Sequence, residues 1–223
     1  MKCIVTNWDY MDSLCRRVAE EIREDGFSPD VIVALAKGGW FAGNILCDLL
    51  GIPELVSVRV EHYAGIEEKK LSVNAAALSE LEGRRVLIVD DVANTGQSIS
   101  VAKDYAEKNG AAEIKTAVLQ LIYTSSFTPD YFGEYVVEDA WIVFPWNFYE
   151  DMIDIIGKLM SERDTDWSEW DIKWGLYMKH GIEPTSLEIA QPGKLRDVLS
   201  EMVRRGIAMQ VEKGGKLFWR LKK

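Results

Sequence analysis

Residues Val86-Leu87-Ile88-Val89 run directly into Asp90-Asp91 and then into Val92-Ala93-Asn94-Thr95-Gly96-Gln97-Ser98. Four consecutive apolar residues, three of them β-branched, fit a strand buried on both faces, the kind found in parallel sheets. Two adjacent carboxylates are costly in such an interior, so the strand has to end where they begin. The Gly/Thr/Ser turn leads into a helical pattern with Val101, Ala102, Tyr105 and Ala106 on one face. A strand, a loop and a helix in that order place the chain in the α/β class, with the loop at the carboxyl edge where open sheets bind ligands. Small and hydroxylated residues at the helix start offer N–H and O–H donors that suit a phosphate. The carboxylate pair beside them suits sugar hydroxyls or a metal ion.

The same alternation continues on both sides of this stretch. Cys3 to Val5 is a short strand, and Asn7 caps a helix with Met11, Leu14, Cys15, Val18 and Ile22 inward, ending before Gly26. Val31 to Leu35 is a second buried strand that breaks at Lys37-Gly38-Gly39, followed by a helix from Trp40 to Leu50. Leu55 to Val60 is a third strand. His62 to Ser72 is polar, lacks periodicity and reads as a long mobile loop of the lid type. The Val86 strand comes fourth, its helix running to about Asn109, and Ile114 to Tyr123 is fifth. Thr124 to Asp139 is turn-rich and aromatic and leads into Trp141-Ile142-Val143-Phe144-Pro145-Trp146. Residues 1–150 therefore read as one doubly wound, mostly parallel sheet domain. From Asp164 the pattern changes. Trp167 to His180 and Lys194 to Arg205 are helical, and Ile207 to Leu221 folds as a hairpin through Gly214-Gly215. Residues 164–223 are expected to be a small α+β, winged-helix-like module.

Charge and cysteine usage narrow the function classes. Asp and Glu total 36 against 26 Lys and Arg, a net charge of -10, which argues against non-specific nucleic-acid binding by the whole molecule. From Gln191 onward nine Lys/Arg face three Asp/Glu, so the C-terminal tip is locally basic. Cys3, Cys15 and Cys47 lack metal-ligand spacing and read as reduced thiols of a cytoplasmic protein. Only His62 and His180 are histidines, which rules out a multi-histidine metal site. No apolar run reaches the length of a membrane span, and Met1-Lys2-Cys3 leads into a strand rather than a secretory leader.

Four hydrophobic residues, two acids, a short spacer and Thr-Gly-x-Ser together resemble the phosphoribosyl pyrophosphate motif of type I phosphoribosyltransferases. The whole pattern is most similar to xanthine-guanine and hypoxanthine phosphoribosyltransferase-like proteins. The resemblance covers residues 1 to about 150 and implies the fold just described. It also implies transfer of phosphoribose from phosphoribosyl pyrophosphate to a nucleobase in purine salvage, with Mg2+ as cofactor and assembly as a homo-oligomer. It implies that Asp90 and Asp91 hold the ribose hydroxyls and favour positive charge on the sugar, and that they meet the metal through water or the substrate. Ala93, Asn94, Thr95, Gly96, Gln97 and Ser98 would wrap the 5′-phosphate. Lys37, Gly38 and Gly39 would bind pyrophosphate, with a cis peptide at Lys37-Gly38. His62 and Tyr63 would meet the pyrophosphate from the loop. Trp141 would stack on the base, and the Ile142 backbone would read its edge. Lys37, Asp90, Asp91 and Asn94 form the catalytic set.

Two positions depart from the purine pattern. Purine members carry an acid directly before Thr-Gly that manages the proton on N7 of the base, whereas this chain has Asn94, which cannot act as a base at neutral pH. They also carry a lysine after the fifth strand that reads the 6-oxo group. Here Tyr123-Thr124-Ser125-Ser126 stands there, leaving Thr124 or Ser125 as hydrogen-bond donors. The alternative is a regulator that senses phosphoribosyl pyrophosphate and binds DNA through the basic C-terminal module, the one reading in which nucleic acid is a partner.

Overall fold

The computed structural model describes residues 1–62, 71–73 and 81–222. In chain order its elements are β1 (Lys2–Val5), α1 (Trp8–Asp25), β2 (Val31–Ala36), α2 (Gly38–Leu50), β3 (Leu55–His62), β4 (Leu71–Val73), β5 (Arg85–Ala93), α3 (Gln97–Lys108) and β6 (Glu113–Ile122). They continue with β7 (Tyr131–Val136), β8 (Ala140–Val143), α4 (Phe148–Ser161), α5 (Glu169–His180), α6 (Pro184–Ala190), α7 (Lys194–Arg204), β9 (Ala208–Lys213) and β10 (Lys216–Leu221). Contacts divide the chain into two units, Asp9–Glu138 and a second made of Met1–Trp8 with Asp139–Lys223.

The first unit is a doubly wound sheet of order β4-β3-β2-β5-β6-β7, parallel throughout except for the short β4, which runs antiparallel to β3. Its two central strands are the apolar runs read from the sequence. Val31 to Leu35 and Val86 to Val89 are at most 2% exposed, each larger side chain contributing about 1.5–3 kcal/mol on burial. From β2 the chain moves outward to β3. It then returns to the opposite side of β2 as β5 and continues outward to β6 and β7. The order therefore reverses between β2 and β5, a topological switch point. The register Val31↔Val86 through Ala34↔Val89 brings the carboxyl ends of both strands out side by side. At the opposite ends of the strands, Arg84 forks onto Glu54 (2.7 Å to each carboxylate oxygen) and Arg85 pairs with Asp30 (2.8 Å).

Several elements differ from expectation. β5 carries Asp90 and Asp91 inside the strand and ends only at Ala93, because pairing with β6 continues to Ala93↔Leu121. α2 begins at Gly38 rather than Trp40. Residues 131–136, read as part of a turn-rich segment, form the edge strand β7 against β6. There Glu134 accepts from the Tyr10 hydroxyl and from Gln120 Nε2 (2.8 Å), which satisfies a carboxylate on an apolar sheet face. Of the expected 62–72 loop, His62 closes β3 and Leu71–Val73 pair with it as β4, while residues 63–70 lie outside the described residues.

In the second unit β1 and β8 form their own parallel pair, Lys2↔Ala140 through Val5↔Val143, rather than joining the large sheet. Helices α4 to α7 and the antiparallel β9–β10 hairpin complete it. Its core gathers Val143, Phe148, Met152, Ile156, Leu159, Trp167, Leu176, Leu199 and Met202, all at most 2% exposed. α4 and α6 are additional to the expected elements. The hairpin is tied back where Trp167 and Trp219 exchange backbone hydrogen bonds of 2.8 Å, and Asp166 takes ion pairs from Lys213 and Arg220. Helices α5 to α7 with this hairpin are the small α+β, winged-helix-like module expected from Asp164, and the unit also takes in β1, β8 and α4. No helix among the described residues is long and apolar enough to cross a membrane.

Candidate active site

The switch point brings two strand–helix junctions together, Ala36-Lys37-Gly38-Gly39 after β2 and Asp90 to Ser98 at the end of β5. Their closeness explains the paired glycines. A Cβ at Gly38 would overlap the Asp91 carboxylate, and one at Gly39 would overlap the Val89 carbonyl oxygen and stand 2.8 Å from Asp90 Cα. Only backbone fits between α2 and β5 at this level. The non-proline cis peptide is Ala36-Lys37, not Lys37-Gly38 as the resemblance implied. Gly38 is already in the first turn of α2, so Lys37-Gly38 belongs to the helical run and the irregular bond falls before it.

Asp90 and Asp91 sit at this junction in different surroundings. Asp90 lies where the strands crowd, and desolvation raises its pKa well above the ordinary carboxylate range. The neighbouring Asp91 charge adds to this, while N–H groups of Asp91 (2.9 Å to Oδ1) and Gly39 oppose it. Residues Asp90, Val92, Asn94, Thr95, Gly96, Gln97, Ser98 and Ile99 line a cavity of about 190 Å³ that opens beside the N-terminus of α3. Gly96 is the N-cap of α3 with φ +74°, and a Cβ there would overlap that of Phe127.

α2 and α3 share a trait that the other helices of more than two turns lack. Neither has a side-chain cap hydrogen bond or an acid in its first turn, whereas α1, α4, α5 and α7 each carry an acid there. First-turn N–H groups favour bound anions, and this pair of N-termini opens at one switch point, where the Gly39 N–H meets the Asp90 carboxylate and the Gln97 N–H donates to Thr95 Oγ1 (3.4 Å). The absence of Asp and Glu from residues 38–41 and 97–100 is a signal present in the sequence. Lys37, exposed at the N-cap of α2, adds a positive charge.

The loop after β6 straps the phosphate-type loop from outside. Thr124 Oγ1 donates to Asn94, 3.3 Å from its main-chain oxygen and 3.2 Å from Oδ1, and Ser126 Oγ donates to the Thr95 carbonyl at 3.0 Å. Ser125 Oγ donates to the Phe127 carbonyl (2.8 Å), so its single proton is committed within its own turn. Sequence reading named these residues without seeing the strap.

Of the remaining candidates, Tyr63 lies outside the described residues and His62 is the last residue of β3. Trp141 and Ile142 are on β8 in the other unit, Trp141 47% exposed and Ile142 buried. Among the described residues no group of three or more His, Cys, Asp or Glu could hold a metal ion. In the C-terminal module the basic side chains are engaged locally. Lys194 pairs with Asp197, Arg196 with Glu169, Arg204 with Glu201, Arg205 with Glu201 and Glu150, and Lys213 and Arg220 with Asp166. Six of the eight described cations from Gln191 to Lys222 are thus held by carboxylates, which gives the DNA-binding alternative no support.

A family model described as a phosphoribosyl transferase domain matches residues 5–153, which span the whole switch-point site. A xanthine-guanine phosphoribosyltransferase of Gluconobacter oxydans is 30% identical over 148 residues, covering 63% of this chain and 82% of that protein. A hypoxanthine-guanine phosphoribosyltransferase of Schizosaccharomyces pombe is 27% identical over 180 residues, covering 63% of this chain and 87% of the relative. Among solved structures, a purine phosphoribosyltransferase from Pyrococcus horikoshii superposes with a TM-score of 0.59 at 36% identity, over 66% of this chain and 95% of that one. The matched span holds the reversing strand order, the acid pair and both helix N-termini, and by that match the chain belongs to the phosphoribosyl transferase family.

Proposed function

We propose that this protein transfers the phosphoribosyl group of phosphoribosyl pyrophosphate to a purine base, releasing pyrophosphate. The observation that carries the reading is the convergence, at one switch point, of two helix N-termini with no acid in their own first turns and an Asp-Asp pair between them. The donor has an anion at each end of a sugar, and the site offers two anion sites flanking two carboxylates. The 5′-phosphate takes the α3 N-terminus with the Thr95 and Ser98 hydroxyls. Pyrophosphate takes the α2 N-terminus with Lys37. Asp90 and Asp91 accept from the ribose hydroxyls. As the bond to pyrophosphate lengthens, positive charge grows on the ribose ring, and carboxylates already in place favour it without reorganising.

Two carboxylates are too few for an all-protein metal cage, but they suit Mg2+, which keeps waters and completes its shell with substrate oxygens. When bound with pyrophosphate, the ion would offset the negative charge on the leaving oxygens. The purine names of the relatives support the choice of acceptor. Pyrophosphate release should require phosphoribosyl pyrophosphate, Mg2+ and one of hypoxanthine, guanine, xanthine or adenine, with the matching nucleoside 5′-monophosphate formed. Retained donor binding with no release on any base would overturn the transfer reading.

A further inference from the structure

We propose that α5 is the face through which two copies of this chain pair, packing antiparallel about a two-fold axis near Trp174. α5 lies beyond the residues 5–153 that match the family model, and the pairing is independent of the transfer reaction.

A helix on the surface of a folded unit ordinarily turns one apolar stripe inward and a polar face to water. α5 is apolar on both sides. Ile172 and Leu176 are fully buried, and Gly175 lies so close to α4 that a Cβ there would stand 2.8 Å from Leu159. On the opposite side Trp170 is 64% exposed, Trp174 50%, Tyr177 42% and Met178 65%. Their rings form a row. The Trp170 and Trp174 planes are 16° apart with centroids 6.4 Å apart, and the Tyr177 ring lies 5.4 Å from Trp174. Asp171, on the same side, closes the capping box with Ser168. Glu169 pairs with Lys173 (2.9 Å) and Arg196 (2.7 Å), and Lys179 pairs with Glu162. The helix that presents the row is thus fixed on its own unit, and little has to be ordered when the row is covered.

Area, charge and symmetry favour a second copy as the occupant. With about 200 Å² for a whole large side chain, the four exposed fractions leave about 400 Å² on each copy, more apolar surface than most monomers expose in one patch. Two such faces bring together about 800 Å², half of a standard specific interface of about 1,600 Å². The row is also self-complementary. Trp170 and Met178 stand four residues to either side of Trp174, so an antiparallel pair sets Trp170 against the partner's Met178 twice, each time as a sulfur–aromatic contact. The first turn of α5 carries Glu169 and Asp171, and its last turn carries Lys179 and His180. Antiparallel packing lays each acidic end beside the partner's basic end, whereas parallel packing would bring like charges together.

Sedimentation equilibrium of the full-length protein over the micromolar range tests the pairing, beside Trp174→Glu, Trp170→Glu and Met178→Lys. Trp174→Glu should weaken self-association by about thirtyfold or more and halve the mass at low concentration, with the far-UV circular dichroism unchanged because the side chain points outward. Trp170→Glu and Met178→Lys should each weaken association when alone. Mixing those two variants should restore it, because antiparallel packing brings their opposite charges together. A wild-type chain that stays single would mean that a different partner covers the face. That result, an assembly unmoved by Trp174→Glu, or mixing without recovery overturns the proposal.

Discussion

Asp90 is held where solvation works against its charge. Its carboxyl stands among buried strand ends beside a second carboxylate, and its pKa is raised by both. In the unfolded chain it titrates at about 3.9. Between that pH and its folded-state pKa the native protein therefore binds more protons than the unfolded chain, and stability falls as pH rises through the interval. Asp90→Asn should remove the loss. At neutral pH the variant should melt above wild type, by about 3–6 °C for each tenfold weakening of the acid, and the difference should vanish as pH falls toward about 4. Differential scanning calorimetry over that range reads it. Equal melting temperatures at neutral pH would mean that Asp90 carries no unfavourable charge. The same substitution should depress turnover, because an amide leaves less negative charge beside the ribose. The acid pair is legible in the sequence because it interrupts an apolar run. The partners of Asn94 are not, because Thr124 lies 30 residues away on another strand end.

The α2–β5 crossing explains why Lys37-Gly38-Gly39 reads as a turn in sequence yet folds as the start of a helix. Glycine is a poor helix former, and it is required here because α2 lies directly against the strand end. Gly39→Ala pushes a methyl group into the Val89 carbonyl and Asp90 Cα, backbone that cannot move aside as a side-chain tip can. It should destabilise by about 1–3 kcal/mol, and it should weaken phosphoribosyl pyrophosphate binding more than that loss of stability alone would. An unchanged melting temperature and donor affinity would show that α2 does not pack so closely. The strands with continuous apolar runs, β2 and β5, and the mostly apolar β6 were legible in the residues. β7 was hidden because Gly133 and Glu134 break its alternation, and the polar partners of Glu134 come from Tyr10 and Gln120 elsewhere in the chain. α6 has only seven residues and leaves little periodicity to read. For α4 there is no such reason, since Phe148, Met152, Ile155, Ile156 and Leu159 recur at helical spacing.

Across the whole molecule, one unit supplies the switch point and the other builds a separate core around α4 and α7. The first 150 residues read as one domain in sequence because strands and helices alternate there. Pairing between β1 and β8, 138 residues apart at Lys2↔Ala140, is not encoded in any local pattern. Local basicity of the C-terminal tip also reads differently once folded, because its cations meet carboxylates such as Asp166, Glu169 and Glu201. The central claim is that the switch-point site holds phosphoribosyl pyrophosphate by its two anions and its sugar hydroxyls together. Calorimetric titration of phosphoribosyl pyrophosphate into the full-length protein with Mg2+ tests this most directly, beside the same titration of Asp91→Asn. One donor should bind per chain, and the substitution should weaken it by about tenfold or more, or about 1.4 kcal/mol. Absence of binding, or an affinity indifferent to Asp91→Asn, would contradict the account.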